Sequence, residues 1–283
     1  MCILGTIAKG KKMFFWKSRQ VEVPMLVLSG VIGRYGRFQQ GLSYLGIHRL
    51  IEQAFQNPKI PALALLINSP GGSPTQSALI AQAIRQRADE HKIPIFSFVE
   101  DVAASGGYWL ACIGDEIYAN PSSLIGSIGV ISSGFGFTEL IRKIGIERRV
   151  FTAGDRKMML DPFAPLKNED QEKVKSLQQS IHQIFKDYVV SRRGSRISAH
   201  NADIFNGDIW TGQQAVEKGL VDGIGGIEDV LQKKLGKKAK FIRIEAKKGF
   251  IQRYVGSSRH RLGVSEELLQ SLEERWWWER LGI

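Results

Sequence analysis

Two glycine-bearing stretches of this sequence contain the residue types that a covalent hydrolytic mechanism needs. They read NSPGGS, which contains Gly71 and Gly72, and AASGG, which contains Ser105 and Gly106. Glycine lets a backbone N–H group approach a ligand closely, so Gly71, Gly72 and Gly106 are candidates for an oxyanion hole, with Gly72 and Gly106 favoured. Ser105 precedes an apolar run that predicts a helix, and its hydroxyl is the candidate nucleophile.

A nucleophilic serine needs a general base, and none of the five histidines lies in a comparable loop. The stretch around Ser105 also departs from the GxSxG elbow, because Ala103 replaces the first glycine. Lysine can act as the base where a dry pocket keeps its amine neutral. Lys157, in TAGDRKMMLDPF, is the candidate because it follows a predicted strand and precedes three apolar residues.

The composition excludes several other kinds of site. Two cysteines, Cys2 and Cys112, rule out a disulfide framework and a cysteine-rich zinc site, and the histidines are scattered. We therefore expect no metal and no cofactor. With 283 residues, 43% of them hydrophobic, the chain is large enough for one substantial domain with an appended tail.

Strands and helices alternate around these residues. Strands are predicted in VEVPMLVLSGVIG, ALALLIN, IPIFSFVE, EIYAN and GSIGVI, and helices in LSYLGIHRLIEQAFQ, in PTQSALIAQAIRQRADEH and after Ser105. The later elements are a helix in FGFTELIRKIG, a strand in ERRVFTA, a long helix from about residue 168 to 191, and two short helices in 211–235. This order predicts an α/β fold of stacked β-α units with a parallel sheet, whose ligands gather at the carboxyl ends of the strands.

The net charge of +11 is concentrated near the C-terminus, where the segment 233–261 holds eleven Lys and Arg residues against Glu245 alone. We predict three parts: an N-terminal tail at 1–20 that can contact a membrane surface, a domain at 21–235, and a basic, Trp-rich, partly helical appendix at 236–283. The N-terminal apolar run is too short for a spanning helix and precedes its charges, unlike a signal peptide.

Basic residues followed by Trp276, Trp277 and Trp278 favour peripheral contact between the appendix and an anionic membrane. Nucleic acid is a less favoured partner, because no known nucleic-acid motif accompanies these charges. We expect a bacterial protein of the cytoplasm or of the inner-membrane surface.

The motifs NSPGG, AASGGYW, GSIGV and AGDRKMMLDPF occur in the order and spacing of the signal peptide peptidase A family, including its SohB-like members. The chain resembles this family over roughly residues 21–235. The resemblance implies a Clp protease/crotonase-like fold, with Ser105 as nucleophile and Lys157 as general base. It also implies that Ser127, the serine of GSIGV, assists the lysine. Because a one-domain member would complete its site with a neighbouring subunit, we expect a homo-oligomer.

The expected activity is that of a serine endopeptidase that cleaves signal peptides or other apolar, membrane-derived peptides. Members of the family often carry an N-terminal transmembrane anchor, and none is visible in this sequence. Two alternatives stay open: a crotonase-like acyl-CoA enzyme, which shares the fold and a glycine oxyanion hole, and a non-catalytic scaffold that binds a membrane or nucleic acid. Labelling of Ser105 by a fluorophosphonate separates the three.

Overall fold

The computed structural model describes residues 21–35, 39–154, 156–197 and 202–244. The strands are β1 Glu22–Ser29, β2 Arg34–Tyr35, β3 Gln39–Gln40, β4 Leu63–Ser69, β5 Ile95–Ala104, β6 Glu116–Ala119, β7 Leu124–Gly126, β8 Ile209–Thr211, β9 Gly223–Ile224 and β10 Lys240–Arg243. The α-helices are α1 Tyr44–Ala54, α2 Pro74–His91, α3 Gly106–Ala111, α4 Thr138–Lys143, α5 Asn168–Arg193, α6 Gly212–Glu217 and α7 Ile227–Leu235. None of the helices in these ranges combines the length and the apolar character needed to span a membrane.

Eight of the strands form one sheet. The order β10-β1-β4-β5-β6-β9 is parallel throughout. β7 extends the sheet beside the last residues of β5, also in parallel, and β8 pairs with β7 in the antiparallel direction. β2 and β3 form a separate antiparallel pair. The mostly parallel sheet confirms the predicted α/β class.

The sheet is buried on both faces, which explains why β4 is an almost continuous apolar run. On one face, α1 and α2 contribute the apolar side chains Ile47, Ile51, Ile80 and Ile84 to the main core, which also includes most of the fully buried α3. On the other face, α7 packs Val230 and Leu231 against a smaller cluster that includes Val23, Ala64 and Phe98. The carboxyl ends of the central parallel strands lie together at one edge of the sheet, between the two layers of helices.

Three predicted strands differ from the structure. β5 continues past Glu100 to Ala104, because its last residues pair with β4 and β7. The strand predicted in GSIGVI is β7, which ends at Gly126; there the backbone turns to positive φ at Gly126 and Ser127 and leaves the ladder. The prediction of a strand in ERRVFTA is wrong: residues 147–153 are exposed, and they pair with no strand within the described ranges.

The basic segment contributes a strand to the sheet. β10 pairs with β1 in parallel, with Glu22 opposite Lys240 and Met25 opposite Arg243. The sheet therefore extends beyond residue 235, where the sequence analysis places the end of the domain. The predicted N-terminal tail at 1–20 and the remainder of the predicted appendix, 245–283, lie outside the described residues.

Arg193 fixes the C-terminal end of α5 to the domain. Its guanidinium donates to both carboxylate oxygens of Asp222, at 2.7 and 3.2 Å, and to the Gly219 carbonyl at 2.9 Å. Asp222 also accepts the backbone N–H of Ile117 in β6 at 2.7 Å. The Arg193 side chain is 1% exposed. This buried ion pair holds the end of α5 in place. Loss of either partner would leave an unpaired buried charge, which lowers the free energy of unfolding.

We predict that Asp222→Asn lowers the free energy of unfolding by about 3–5 kcal/mol, because it leaves the Arg193 charge buried and unpaired. Urea denaturation followed by circular dichroism measures this loss. The matched control is Glu139→Gln, which breaks the exposed pair with Arg142 and should cost less than about 1 kcal/mol. Equal costs for the two variants would contradict this role of Arg193.

Candidate active site

Three turns of the chain meet at the carboxyl edge of the sheet around Ser105. The register of β4, β5 and β7 aligns one row of residues, Ser69, Ala103 and Ile125. Gly71, Ser105 and Ser127 each lie two residues beyond that row. Three of the four stretches that carry the sequence motifs, NSPGG, AASGGYW and GSIGV, thus come together through strand pairing.

The backbone of Ser105 adopts an unusual conformation. Its φ of 51° and ψ of −119° lie in a region that residues other than glycine rarely occupy, at a typical cost of about 1–3 kcal/mol. Two hydrogen bonds hold it there: its N–H donates to the Gly126 carbonyl at 2.8 Å, and its carbonyl accepts from the Trp109 N–H at 3.0 Å. The sharp turn from β5 into α3 places the half-buried Ser105 at the sheet edge.

Gly71 allows the two motif loops to touch. A Cβ atom at this position would lie 2.8 Å from the Ser105 Cβ and 2.8 Å from the Ala104 carbonyl oxygen. The Gly71 N–H donates to the Oγ of the fully buried Ser69 at 3.2 Å, so this amide is already engaged. Among the three glycine candidates, Gly71 supplies space rather than a free donor.

Gly72 and Gly106 supply two adjacent backbone N–H groups. A Cβ on Gly106 would lie 3.4 Å from the Gly72 nitrogen. The flanking hydrogen bonds use Gly71 and Ser73: the Ile32 N–H donates to the Gly71 carbonyl, and the Ser73 N–H donates to the Ile32 carbonyl. In the described part of the chain, neither the Gly72 nor the Gly106 N–H has a recorded acceptor. Two neighbouring free donors beside a hydroxyl are what an oxyanion hole requires.

Ser127 lies beside Ser105 on the neighbouring turn. Its φ is 51°, equal to that of Ser105, and its N–H donates to the Asp208 carbonyl at 2.7 Å. The residue is half-buried. This position fits a hydroxyl that orients a group arriving at Ser105.

Lys157 is not brought to Ser105 by the described residues. It lies in an excursion of the chain over 131–167, where most residues are exposed, and its own side chain is exposed. Its backbone N–H donates to the Gly154 carbonyl at 3.1 Å, while no hydrogen bond or ion pair of its amine is recorded within the described ranges. The described part of the chain therefore does not form the dry pocket that was expected around this amine.

An apolar pocket adjoins Ser105. Besides Gly72, Ser105 and Gly106, its lining consists of Pro74, Trp109, Gly129, Val130, Ile181 and Phe185. The Trp109 ring stacks on Phe185 and on Tyr188, with ring centroids 4.9 and 4.8 Å apart. The contribution of α5 to this pocket was not predicted from the sequence. The four-residue spacing of Ile181 and Phe185, which places both on one face of a helix, could have indicated it.

Cys112, the free cysteine of the described ranges, is buried. Burial raises the pKa of the Cys112 thiol to about 11, which disfavours a reactive thiolate. The same ranges contain no group of three or more His, Cys, Asp or Glu side chains placed to hold a metal ion.

The chain belongs to peptidase family S49, whose family model matches residues 87–240. Its fold is the Clp protease/crotonase-like fold of that family. The mostly parallel sheet and the sharp turn at Ser105 are consistent with that fold. Individual proteins named SppA and SohB are also similar to this chain. The probable protease SohB of Buchnera aphidicola is 34% identical over 208 residues, which are 73% of this chain and 60% of that protein.

Two further relatives show how far the similarity extends. The putative signal peptide peptidase SppA of Enterococcus faecium is 34% identical over 62% of this chain and 51% of its own length. The Na(+)/H(+) antiporter NhaA of Brucella abortus is 43% identical over 95% of this chain, but over 38% of its own length. The chain thus spans between about two fifths and three fifths of these relatives.

We predict that Gly71→Ala lowers the reactivity of Ser105 at least tenfold, because the added Cβ would force the two motif loops apart. The rate of covalent labelling by a fluorophosphonate, read by intact-protein mass spectrometry, measures this reactivity. Gly226→Ala is the control, since a Cβ at Gly226, just before α7 and outside the excursion, meets no atom within 4 Å. Undiminished labelling of Gly71→Ala would show that close contact between the loops is dispensable.

Proposed function

We propose that this chain is a serine peptidase that hydrolyses peptide bonds with a Ser105–Lys157 dyad. The observation that carries the proposal is the junction of the Ser105 hydroxyl with the free N–H groups of Gly72 and Gly106 at one sheet edge, in a member of a peptidase family. A hydroxyl beside two preorganised donors is suited to acyl transfer.

In the proposed mechanism, the neutral amine of Lys157 takes the proton from Ser105 Oγ while the oxygen attacks the peptide carbonyl carbon. The Gly72 and Gly106 N–H groups donate to the resulting oxyanion. The Lys157 ammonium returns the proton to the leaving amine as the C–N bond breaks. Lys157 then takes a proton from water as the water oxygen attacks the acyl carbon, and it returns that proton to Ser105 Oγ as the bond between Ser105 and the acyl group breaks. The Ser127 hydroxyl accepts a hydrogen bond from the amine and orients it.

We further propose that Lys157 acts on Ser105 of a second copy of the chain. Support comes from the exposure of Lys157 and of apolar side chains in the surrounding excursion; Phe135 and Phe151 are 82% and 94% exposed, and α4 has no buried residue. Large apolar side chains in such numbers are typical of a surface that another subunit covers. Burial by that subunit would supply the dry environment that the amine needs.

The substrate we propose is an extended apolar peptide, such as a signal peptide or another membrane-derived segment. The small apolar pocket beside Ser105 supports this choice, because it suits a small apolar side chain next to the scissile bond. One relative carries the name putative signal peptide peptidase.

The antiporter similarity fits the same proposal. It covers 95% of this chain, a stretch that includes most or all of the residues matched by the peptidase family model. We infer that the part shared with the antiporters is a peptidase-like domain, which forms 38% of those longer proteins. The family match, rather than the transport name, carries the proposed activity.

Ser105→Ala and Lys157→Ala should each lower peptide hydrolysis by at least about a thousandfold, because the nucleophile and its base act as a unit. Lys157→Arg should be as harmful, since a guanidinium stays protonated and cannot serve as a base. Cleavage of a fluorogenic apolar peptide measures the loss. The exposed Lys173→Ala is the control. Substantial hydrolysis by Ser105→Ala would refute the mechanism, and failure of the wild-type Ser105 to react with a fluorophosphonate would favour the acyl-CoA or scaffold alternatives.

Mixing the two inactive variants tests the second copy. If Lys157 of one copy serves Ser105 of another, mixed assemblies of Ser105→Ala and Lys157→Ala chains contain some complete sites. We expect the mixture, after dissociation and reassembly, to recover up to about a quarter of the wild-type activity by random pairing. A mixture that forms mixed assemblies but stays inactive would show that the lysine serves its own chain.

A further inference from the structure

A histidine outside the proposed dyad links the two sides of the pocket beside Ser105. Nε2 of His182, in α5, lies 3.1 Å from the Ile128 carbonyl oxygen. A carbonyl can only accept, so Nε2 carries the hydrogen and His182 is the donor. Ile128 follows Ser127 directly, and its side chain is fully buried.

The bond joins two separate parts of the chain. Gly129 and Val130 form one side of the pocket, and Ile181 and Phe185 form another. His182 immediately follows Ile181, and Ile128 immediately precedes Gly129. The His182–Ile128 hydrogen bond therefore connects the backbone of the first side to the helix that carries the second.

The first side has few other supports. β7 ends at Gly126, so the sheet ladder no longer holds the chain after that residue. The Ser127 N–H still donates to Asp208, and the Gly129 N–H donates back to the Ser127 carbonyl. From residue 131 to 137 the chain is exposed and without regular structure. Among the described residues, the buried Ile128 side chain and the bond to His182 are thus the main anchors between Ser127 and the excursion.

We propose that His182 is a positioning residue that sets the width of the pocket beside Ser105 and so restricts the substrate side chain there to a small one. The inference rests on the proposed peptidase function. His182 touches neither the scissile bond nor the dyad; it acts by holding the Ile128 carbonyl, and with it Gly129 and Val130, at a fixed distance from α5.

The test replaces the hydrogen bond while keeping the volume of the side chain. His182→Phe removes the donor from a ring of similar size, and His182→Gln keeps an N–H donor. The control is His91→Phe at the exposed end of α2. Each protein is assayed on two peptides that differ in the residue before the scissile bond, alanine or phenylalanine. Thermal melting confirms that each variant is folded.

We expect the ratio of kcat/KM for the alanine peptide over the phenylalanine peptide to fall about three- to tenfold in His182→Phe, the factor expected for one lost hydrogen bond. His182→Gln should recover most of the ratio, and His91→Phe should leave it unchanged. A ratio within twofold of wild type in His182→Phe would overturn the proposal, as would an equal fall in His182→Gln.

Hydrogen–deuterium exchange supplies a second measurement that needs no catalysis. Peptides covering residues 127–133 should exchange faster in His182→Phe than in the wild type, because the Ile128 anchor is lost. Unchanged exchange would overturn the role of His182 even in an active protein. If the wild type cleaves neither peptide and Ser105 stays unlabelled, the peptidase proposal fails, whereas faster exchange in the variant would still support the link between the two sides.

Discussion

The candidate site depends on direct contact between backbones at the carboxyl edge of the sheet. A Cβ on Gly107 would lie 2.2 Å from the Ser69 carbonyl oxygen, and one on Gly72 would lie 2.1 Å from the Ile32 carbonyl oxygen. No side chain fits between these backbone segments, so the turns after β4 and β5 are in direct backbone contact. This contact brings free N–H groups to a serine hydroxyl and confines Ser105 to a backbone conformation that only its surroundings can enforce.

Much of this arrangement could be predicted from local signals. The apolar run of β4, the Pro74 at the start of α2 and the glycines at 71, 72 and 106 mark strand, helix and turn by their own chemistry. Their order along the chain then places the turns at one edge, because parallel strands connected by helices end on the same side. The sequence therefore sufficed to predict that Gly72, Gly106 and Ser105 lie together.

The remaining features depend on partners distant in the sequence. The bond between His182 and Ile128 spans 54 residues, and nothing in the residues around His182 indicates it. The basic character of Lys240–Arg243 suggested an appendage, yet these residues pair with the edge of β1 and extend the sheet. The ERRVFTA stretch has strand-like composition but no edge to join. The surroundings of Lys157 were equally unpredictable, because they depend on how the mostly exposed excursion over 131–167 folds and not on the motif around the lysine.

The pairing of β10 with β1 fixes the positions of residues 21 and 244 relative to the sheet. Because the strands run in the same direction, residue 21 lies at the amino edge, whereas Ile244, whose N–H donates to the Met25 carbonyl, heads toward the carboxyl edge. In the register of the neighbouring strands Arg243 lies level with Met25, Ala64 and Phe96, so β10 ends about three strand spacings, roughly 14 Å, across the sheet from β5 and nine residues short of Ser105. A fusion partner joined directly at residue 21 would therefore be attached at the edge of the sheet opposite the pocket, whereas one joined directly at Ile244 would be attached partway along the sheet, three strands away from β5.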